Sequence, residues 1–167
     1  MVAVTYQNLF SESRNNVVTI ITSNVSDPII SSAEFRKWIY SREPDVKSSD
    51  FKGYPFIIIH PSEFEPEEGG SLDGKSKFVF WTIEIEIVTS DRGYGSEDGK
   101  GLSHMDTISN SVIQQLLSIT NRNTLSGANL KFSRPVPTSV VTEPIGEELT
   151  YRRSIIQTFK NRIQVSA

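Results

Sequence analysis

The chain contains no cysteine. That absence removes disulfide staples, thiolate metal ligands and cysteine nucleophiles together. Two histidines in 167 residues exclude a histidine-rich metal centre, so any catalysis would have to run on carboxylates, hydroxyls or lysines. A positive excess is missing as well. The 17 Lys and Arg stand against 20 Asp and Glu, a formal charge of -3, which argues against a protein held on nucleic acid by its overall field. No apolar run exceeds four residues, as in Phe56-Ile57-Ile58-Ile59, far short of the roughly 20 a bilayer needs. Residues 1–7 carry neither the positive cluster nor the apolar stretch of a signal peptide. The expectation is a soluble chain made and kept inside the cell, where the glycosylation triplet Asn24-Val25-Ser26 meets no chemistry.

What is present suits one domain that buries roughly 70% of its unfolded surface. The hydrophobic share of 37% is thin for a self-sufficient core, which suggests that a partner completes the fold. Tyr6, Leu9, Phe10, Val17, Ile20, Ile21 and Val25 recur at helical steps and predict an amphipathic helix over about 5–24. The β-branched block from Val17 to Thr22 is equally able to form a strand, and Asp27-Pro28 ends the element either way. Ser31-Ser32-Ala33-Glu34 offers a capping box for one short helical turn carrying Phe35, Trp38 and Ile39. Phe56–Ile59, set between Pro55 and Pro61, predicts a short strand buried on both faces. Glu63 to Gly74 reads as an acidic, glycine-rich excursion kept solvated and mobile by self-repulsion.

From Lys77 to Thr89, Trp81, Ile83, Ile85 and Ile87 alternate with Thr82, Glu84 and Glu86, the pattern of a long half-buried strand. The glycine-rich stretch 91–101 leads to a helix expected to be capped by Ser103, with Asp106 favouring its positive end and His104 on its surface. Met105, Ile108, Val112, Leu116 and Ile119 line its apolar stripe to about residue 120. A short strand fits within 125–132, Pro135, Pro137 and Pro144 mark an edge segment, and Leu149 to Val165 alternates again. The sum is an α+β fold: a mainly antiparallel sheet with two helices packed on one face, one domain over 1–167, and mobile loops at about 63–76 and 91–101.

Gly69-Gly70-Ser71-Leu72-Asp73-Gly74-Lys75-Ser76 matches the phosphate-loop pattern G-x-x-x-x-G-K-S. Its surroundings contradict that chemistry, with Glu-Pro-Glu-Glu upstream in place of a buried strand and a strand downstream in place of a helix. The glutamates at 63, 65, 67 and 68 could be divalent-cation ligands, but they lack the spacing of a calcium loop and read more simply as a solvated acidic loop. Glu84 and Glu86, two apart on one strand, could pair as acid and base, or form a wet face meeting Arg152, Lys160 and Arg162 across strands. His60 reads as a satisfied strand-end residue, and no nucleophile elbow is present. Charge is unevenly spread. Residues 122–167 hold seven Lys and Arg against three acids, whereas 1–121 hold ten against seventeen. Two readings follow: neutralisation within one chain, or head-to-tail association between copies.

Four stretches together are similar to the tail terminator, or tail-completion, proteins of long-tailed bacteriophages and related head-tail joining proteins. They are Gly53-Tyr-Pro-Phe-Ile-Ile-Ile-His60, the strand from Phe78 to Ile87, the helix from Met105 to Ile119 after its glycine loop, and the strand Tyr151-Arg-Arg-Ser-Ile-Ile-Gln-Thr-Phe159. They cover about two-thirds of the chain in the family's order; 26–52 and 63–74 are longer than that pattern and stay unassigned. The resemblance implies a virion structural protein without cofactor or catalysis, assembled in the host cytoplasm into a homohexameric ring. The ring would end polymerisation of the tail tube, contact the major tail tube protein and the head-tail connector protein, and let DNA pass without specific binding. Trp81 or Trp38, where exposed, would anchor the subunit interface, and Arg152, Arg153, Lys160 and Arg162 would supply its charge. Glu67, Glu68, Asp73, Tyr94, Glu97 and Asp98 would line loops facing the lumen or the tube. The alternatives are a head-side neck protein, or a nucleotide- or metal-dependent enzyme built on the Gly69–Ser76 stretch.

Overall fold

A computed structural model describes residues 9–29, 36–61, 63–66, 76–92, 99–118, 131–132, 135–145 and 148–164. The order is α1 (Leu9–Asn24), β1 (Ile39–Tyr40), β2 (Phe56–Ile59), β3 (Glu63–Pro66), β4 (Ser76–Ser90), α2 (Gly101–Leu117), β5 (Lys131–Phe132), β6 (Val136–Pro137), β7 (Val141–Ile145) and β8 (Glu148–Gln164). The strands form one sheet with β4 and β8 at its centre; β2 and β3 follow one another along the free side of β4, and β5, β6 and β7 along the free side of β8. Every pairing is antiparallel except β1 with β2.

Both helices cover the same face. Trp81, Ile83, Ile85 and Ile87 of β4 and Tyr151, Ile155 and Phe159 of β8 form a core with Val17, Ile20 and Ile21 of α1 and Met105, Ile108, Val112 and Leu116 of α2. The period-2 pattern of the strands and the three-four spacing of the helices meet there, as the sequence predicts. In α1 the β-branched block is helical, because burial of Val17, Ile20 and Ile21 outweighs their weak intrinsic preference. The predicted residues 5–8 lie outside the described residues, as does Ile119. β2 is buried at all four positions, Ile57 and Ile59 in this core and Phe56 and Ile58 in a smaller one on the opposite face with Tyr54 and Val88.

Several expectations are corrected. Trp38 and Ile39 belong to an extended approach and to β1, not to a helical turn, because Ile57 N–H donates to the Trp38 carbonyl in a strand pairing; residues 31–35 lie outside the described residues. Asp27 and Arg36, both buried, form an ion pair at 2.5 Å, and Arg36 also donates to the carbonyls of Gly53 and Pro55. The acidic excursion begins as a strand, since Glu63–Pro66 pairs with Val79–Thr82 of β4; residues 67–75 lie outside the described residues.

The start of α2 also differs. The helix opens at Gly101, two residues before the expected Ser103 cap, and the N–H of Gly101 donates to Asp91 Oδ1. Asp91 stands at the end of β4, and its other oxygen accepts the Tyr151 hydroxyl at 2.7 Å. A Cβ at Gly101 would lie 2.7 Å from the Tyr151 ring, so only glycine lets helix, strand end and phenol come together. His104 is buried, not on the surface, because it stands four residues before Ile108, on the stripe of α2 that packs on the sheet.

Trp81 stacks on Phe159, its cross-strand partner, at 4.0 Å between ring centres. Trp81→Ala should therefore lower stability by about 3–5 kcal/mol in urea unfolding; a loss below about 1 kcal/mol would contradict the core position. The Tyr151 phenol is held above its ordinary pKa by its hydrogen bond to Asp91, then by burial and by the Asp91 charge. The neutral phenol thus favours the folded state: this contribution is complete below about pH 10 and is lost as pH rises through the folded value. The stability advantage of wild type over Tyr151→Phe should shrink above that pH. Unfolding at neutral and strongly alkaline pH measures it, and a constant difference would refute the linkage.

Candidate functional site on the helix-free face of the sheet

The opposite parity of the same strands gives the sheet's second face. Thr82, Glu84 and Glu86 of β4 stand opposite Thr158, Ile156 and Ser154 of β8, all partly or largely exposed. Among the described residues no helix covers them. Toward one end Phe51, Tyr54, Phe56 and Tyr40 close over Ile58 and Val88, and among the described residues nothing covers the rest of the face.

Arg152 organises the charges here. Its Nη1 donates to Glu86 Oε1 at 2.8 Å, its Nη2 donates to Glu43, and its Nε lies 3.2 Å from Glu143 Oε2. The other Glu86 oxygen meets His60 Nε2 at 3.0 Å, and Glu84 accepts a hydrogen bond from the Ser154 hydroxyl. Burial would lower the Arg152 pKa, but the hydrogen bonds and charges of Glu43 and Glu86 outweigh it and hold the group above its ordinary value. It is a permanent cation that binds three segments far apart in sequence.

Beside this array lies a shallow cavity of about 400 Å³ lined by His60, Pro61, Glu63, Thr82, Glu84 and Ile156. Ile156 stands directly opposite Val136, and Val141 directly opposite Arg152, so all three apolar side chains share the open face. They are 37%, 59% and 53% exposed. The arrangement presents apolar contacts bordered by fixed carboxylates, a composition suited to binding. Both Glu86 oxygens are occupied by Arg152 and His60. Among the described residues, no group of three or more His, Asp or Glu is placed to hold a metal ion.

The sequence-predicted residues fare differently. Trp81 is corrected: its odd parity puts it on the helix side, fully buried, so it anchors the core and no interface, and Trp38 is buried likewise. Arg152 meets Glu86 across the strands, the wet-face reading. Arg153 turns to the helix side, where it donates to Asp106 and Ser109 of α2. Lys160 pairs in register with Phe80 and Lys131, and Arg162 with Phe78. Glu67, Glu68, Asp73, Tyr94, Glu97, Asp98 and Lys75 lie outside the described residues; Ser76, the last residue of the phosphate-loop pattern, opens a strand, as the sequence context implies. Sequence reasoning missed Glu43, which is 109 residues from Arg152 and carries no signal, and Glu143, which the β7–β8 hairpin register could have supplied.

Arg152→Ala should cost roughly 2–3 kcal/mol by leaving Glu86 without its cation, whereas Glu43→Ala, at an exposed partner, should cost less than about 1 kcal/mol. Urea unfolding of both variants decides it, and equal losses would remove Arg152 from the centre of the array. No protein-family model matches the chain, and a search of curated proteins finds no match either.

Proposed function

We propose that this chain is a virion structural protein of a long-tailed bacteriophage, one subunit of a ring that closes the head-proximal end of the tail tube and joins tail to head. The observation that carries the reading is the helix-free face. Among the described residues both helices lie on one side of a broad sheet, and the other side, beyond the cluster of Tyr54 and Phe56, offers Ile156, Val136 and Val141 to water beside ordered charges. Apolar side chains grouped this way favour burial against another surface. In a ring of identical subunits that surface comes from the neighbouring copy or from the tube.

The role is one of contact, without a cofactor. Polymerisation of the tube would stop because the ring's tube-facing side matches the last tube subunits while its other side meets the head-tail connector. The family resemblance of the β2, β4, α2 and β8 segments supports this placement. Mixed with purified tail tubes, the protein should appear in negative-stain images as rings and as density at one tube end. A species that stays monomeric at high concentration and leaves tube ends bare would overturn the reading.

A further inference from the structure

Among the described residues, two carboxylates on the open face meet no cation. Glu86 is matched by Arg152, but Glu84 only accepts the Ser154 hydroxyl at one oxygen, and Glu63 stands exposed in β3. Both line the cavity of about 400 Å³. The ladder explains why they share it. Glu63 is directly opposite Thr82, and Glu84 lies two residues further along β4, so the two are diagonal neighbours on one face, roughly 7–8 Å apart at the backbone. From that spacing two long side chains can reach one group placed between them.

The rest of the lining says which cation fits. A hard divalent ion wants about six or more oxygen ligands, and among the described residues no group of three or more His, Asp or Glu is placed to hold one. Two carboxylates suit instead a cation bound by hydrogen bonds. The cavity is apolar at Ile156 and Pro61 and includes Thr82, whose hydroxyl is bonded to that of Thr158. A guanidinium is planar and weakly hydrated, presents its donors as a fork that two separate carboxylates can share, and brings an aliphatic stem to lie on the apolar lining. An ammonium offers a compact, strongly hydrated point charge to one of them.

The surroundings say where that group comes from. Val136 stands directly opposite Ile156, and Val141 lies further along the same face; both are more than half exposed. A free small cation would fill the cavity and leave this apolar strip bare, whereas an arginine on a protein surface brings neighbours that cover it.

We infer that this cavity is a docking pocket for one arginine side chain of a partner protein, its guanidinium held between Glu63 and Glu84 and its stem against Ile156 and Pro61, with Val136 and Val141 taking apolar residues that flank it. The inference rests on the open face being a contact surface, as the ring reading has it, and names the group that the surface takes. Glu84 is already held by Ser154, which lowers the ordering cost of docking.

The test is a titration of the protein with acetyl-Leu-Arg-Leu-amide, followed through backbone amide shifts by NMR, up to about 10 mM peptide. The peptide should shift His60, Glu63, Thr82, Glu84 and Ile156 saturably. The same peptide with citrulline, which keeps the shape and loses the charge, should bind at least about fivefold more weakly, and Glu63→Gln and Glu84→Gln should each weaken the arginine peptide about threefold or more. Asp50→Asn, an equal charge change at an exposed residue outside the cavity, should leave binding unchanged. Equal binding of the arginine and citrulline peptides, or no shifts over that range, would overturn the inference. Free arginine that binds as tightly as the peptide would make this a small-molecule site, and calcium chloride that gives the same shifts and displaces the peptide would make it a divalent-cation site; either result overturns it. The ring is decided separately. Rings at tube ends from a protein that does not take the peptide would remove the pocket and keep the ring, and peptide binding by a protein that never forms rings would do the reverse.

Discussion

Fifteen residues of β4 pair without interruption with fifteen of β8, from Ser76 opposite Gln164 to Ser90 opposite Thr150, and every other strand is placed by reference to that ladder. β2 and β3 are too short to stand alone and lie end to end on β4; β5, β6 and β7 do the same on β8. A shift of one residue would turn Ile83, Ile85 and Ile87 toward water and bring Glu84 and Glu86 under the helices. The cost of burying two carboxylates without partners excludes it. Trp81 on Phe159 and Ile85 opposite Ile155 set the same register from the apolar side.

The parts of this fold that were legible in the sequence are those where periodicity and burial agree. β4, β8 and β2 repeat every second residue or run wholly apolar, and α2 repeats every third and fourth. What escaped reading depends on contacts across long separations. The start of α2 is set by Asp91, ten residues upstream, together with Tyr151, sixty residues beyond Asp91, so the local preference of Ser103 for a cap counts for nothing. Trp81 looked like an interface anchor because tryptophan often is one, yet its parity alone places it with Ile83 and Ile85 inside. In the same way a four-residue strand at Glu63–Pro66 is hidden by its own acidity, since its alternation is too short to stand out.

Arg152 shows how one residue couples the two levels. Its strand position was readable as a wet-face charge, but its partners arrive from the 41–50 segment, the centre of β4 and β7. A lysine there would offer a point charge to a single carboxylate, whereas the planar guanidinium spreads its donors across Glu86 and Glu43 while its Nε lies near Glu143. Arg153, the next residue, faces the helix side and ties Asp106 of α2 to the sheet. Consecutive arginines on an alternating strand thus brace both faces, which is why residues drawn from one basic run do not serve a common surface.

The edges of the sheet are poor places for another chain to join. β1 is two residues long, and the free side of β8 is taken by short strands that carry Pro137 and Pro144, each lacking an N–H for a further ladder. Strand addition is therefore discouraged at β1 and along the β8 side, while the open face keeps its apolar side chains and its carboxylates fixed by Arg152, His60 and Ser154. A partner meeting these edges finds short or proline-bearing strands, whereas the open face offers a preorganised side-chain surface. Carboxylates already held in position lose little freedom when a cation approaches, so the ordering cost of docking is partly met during folding. The same bonds that hold the sheet's polar face in register also make that face a surface with one charge pattern and one orientation.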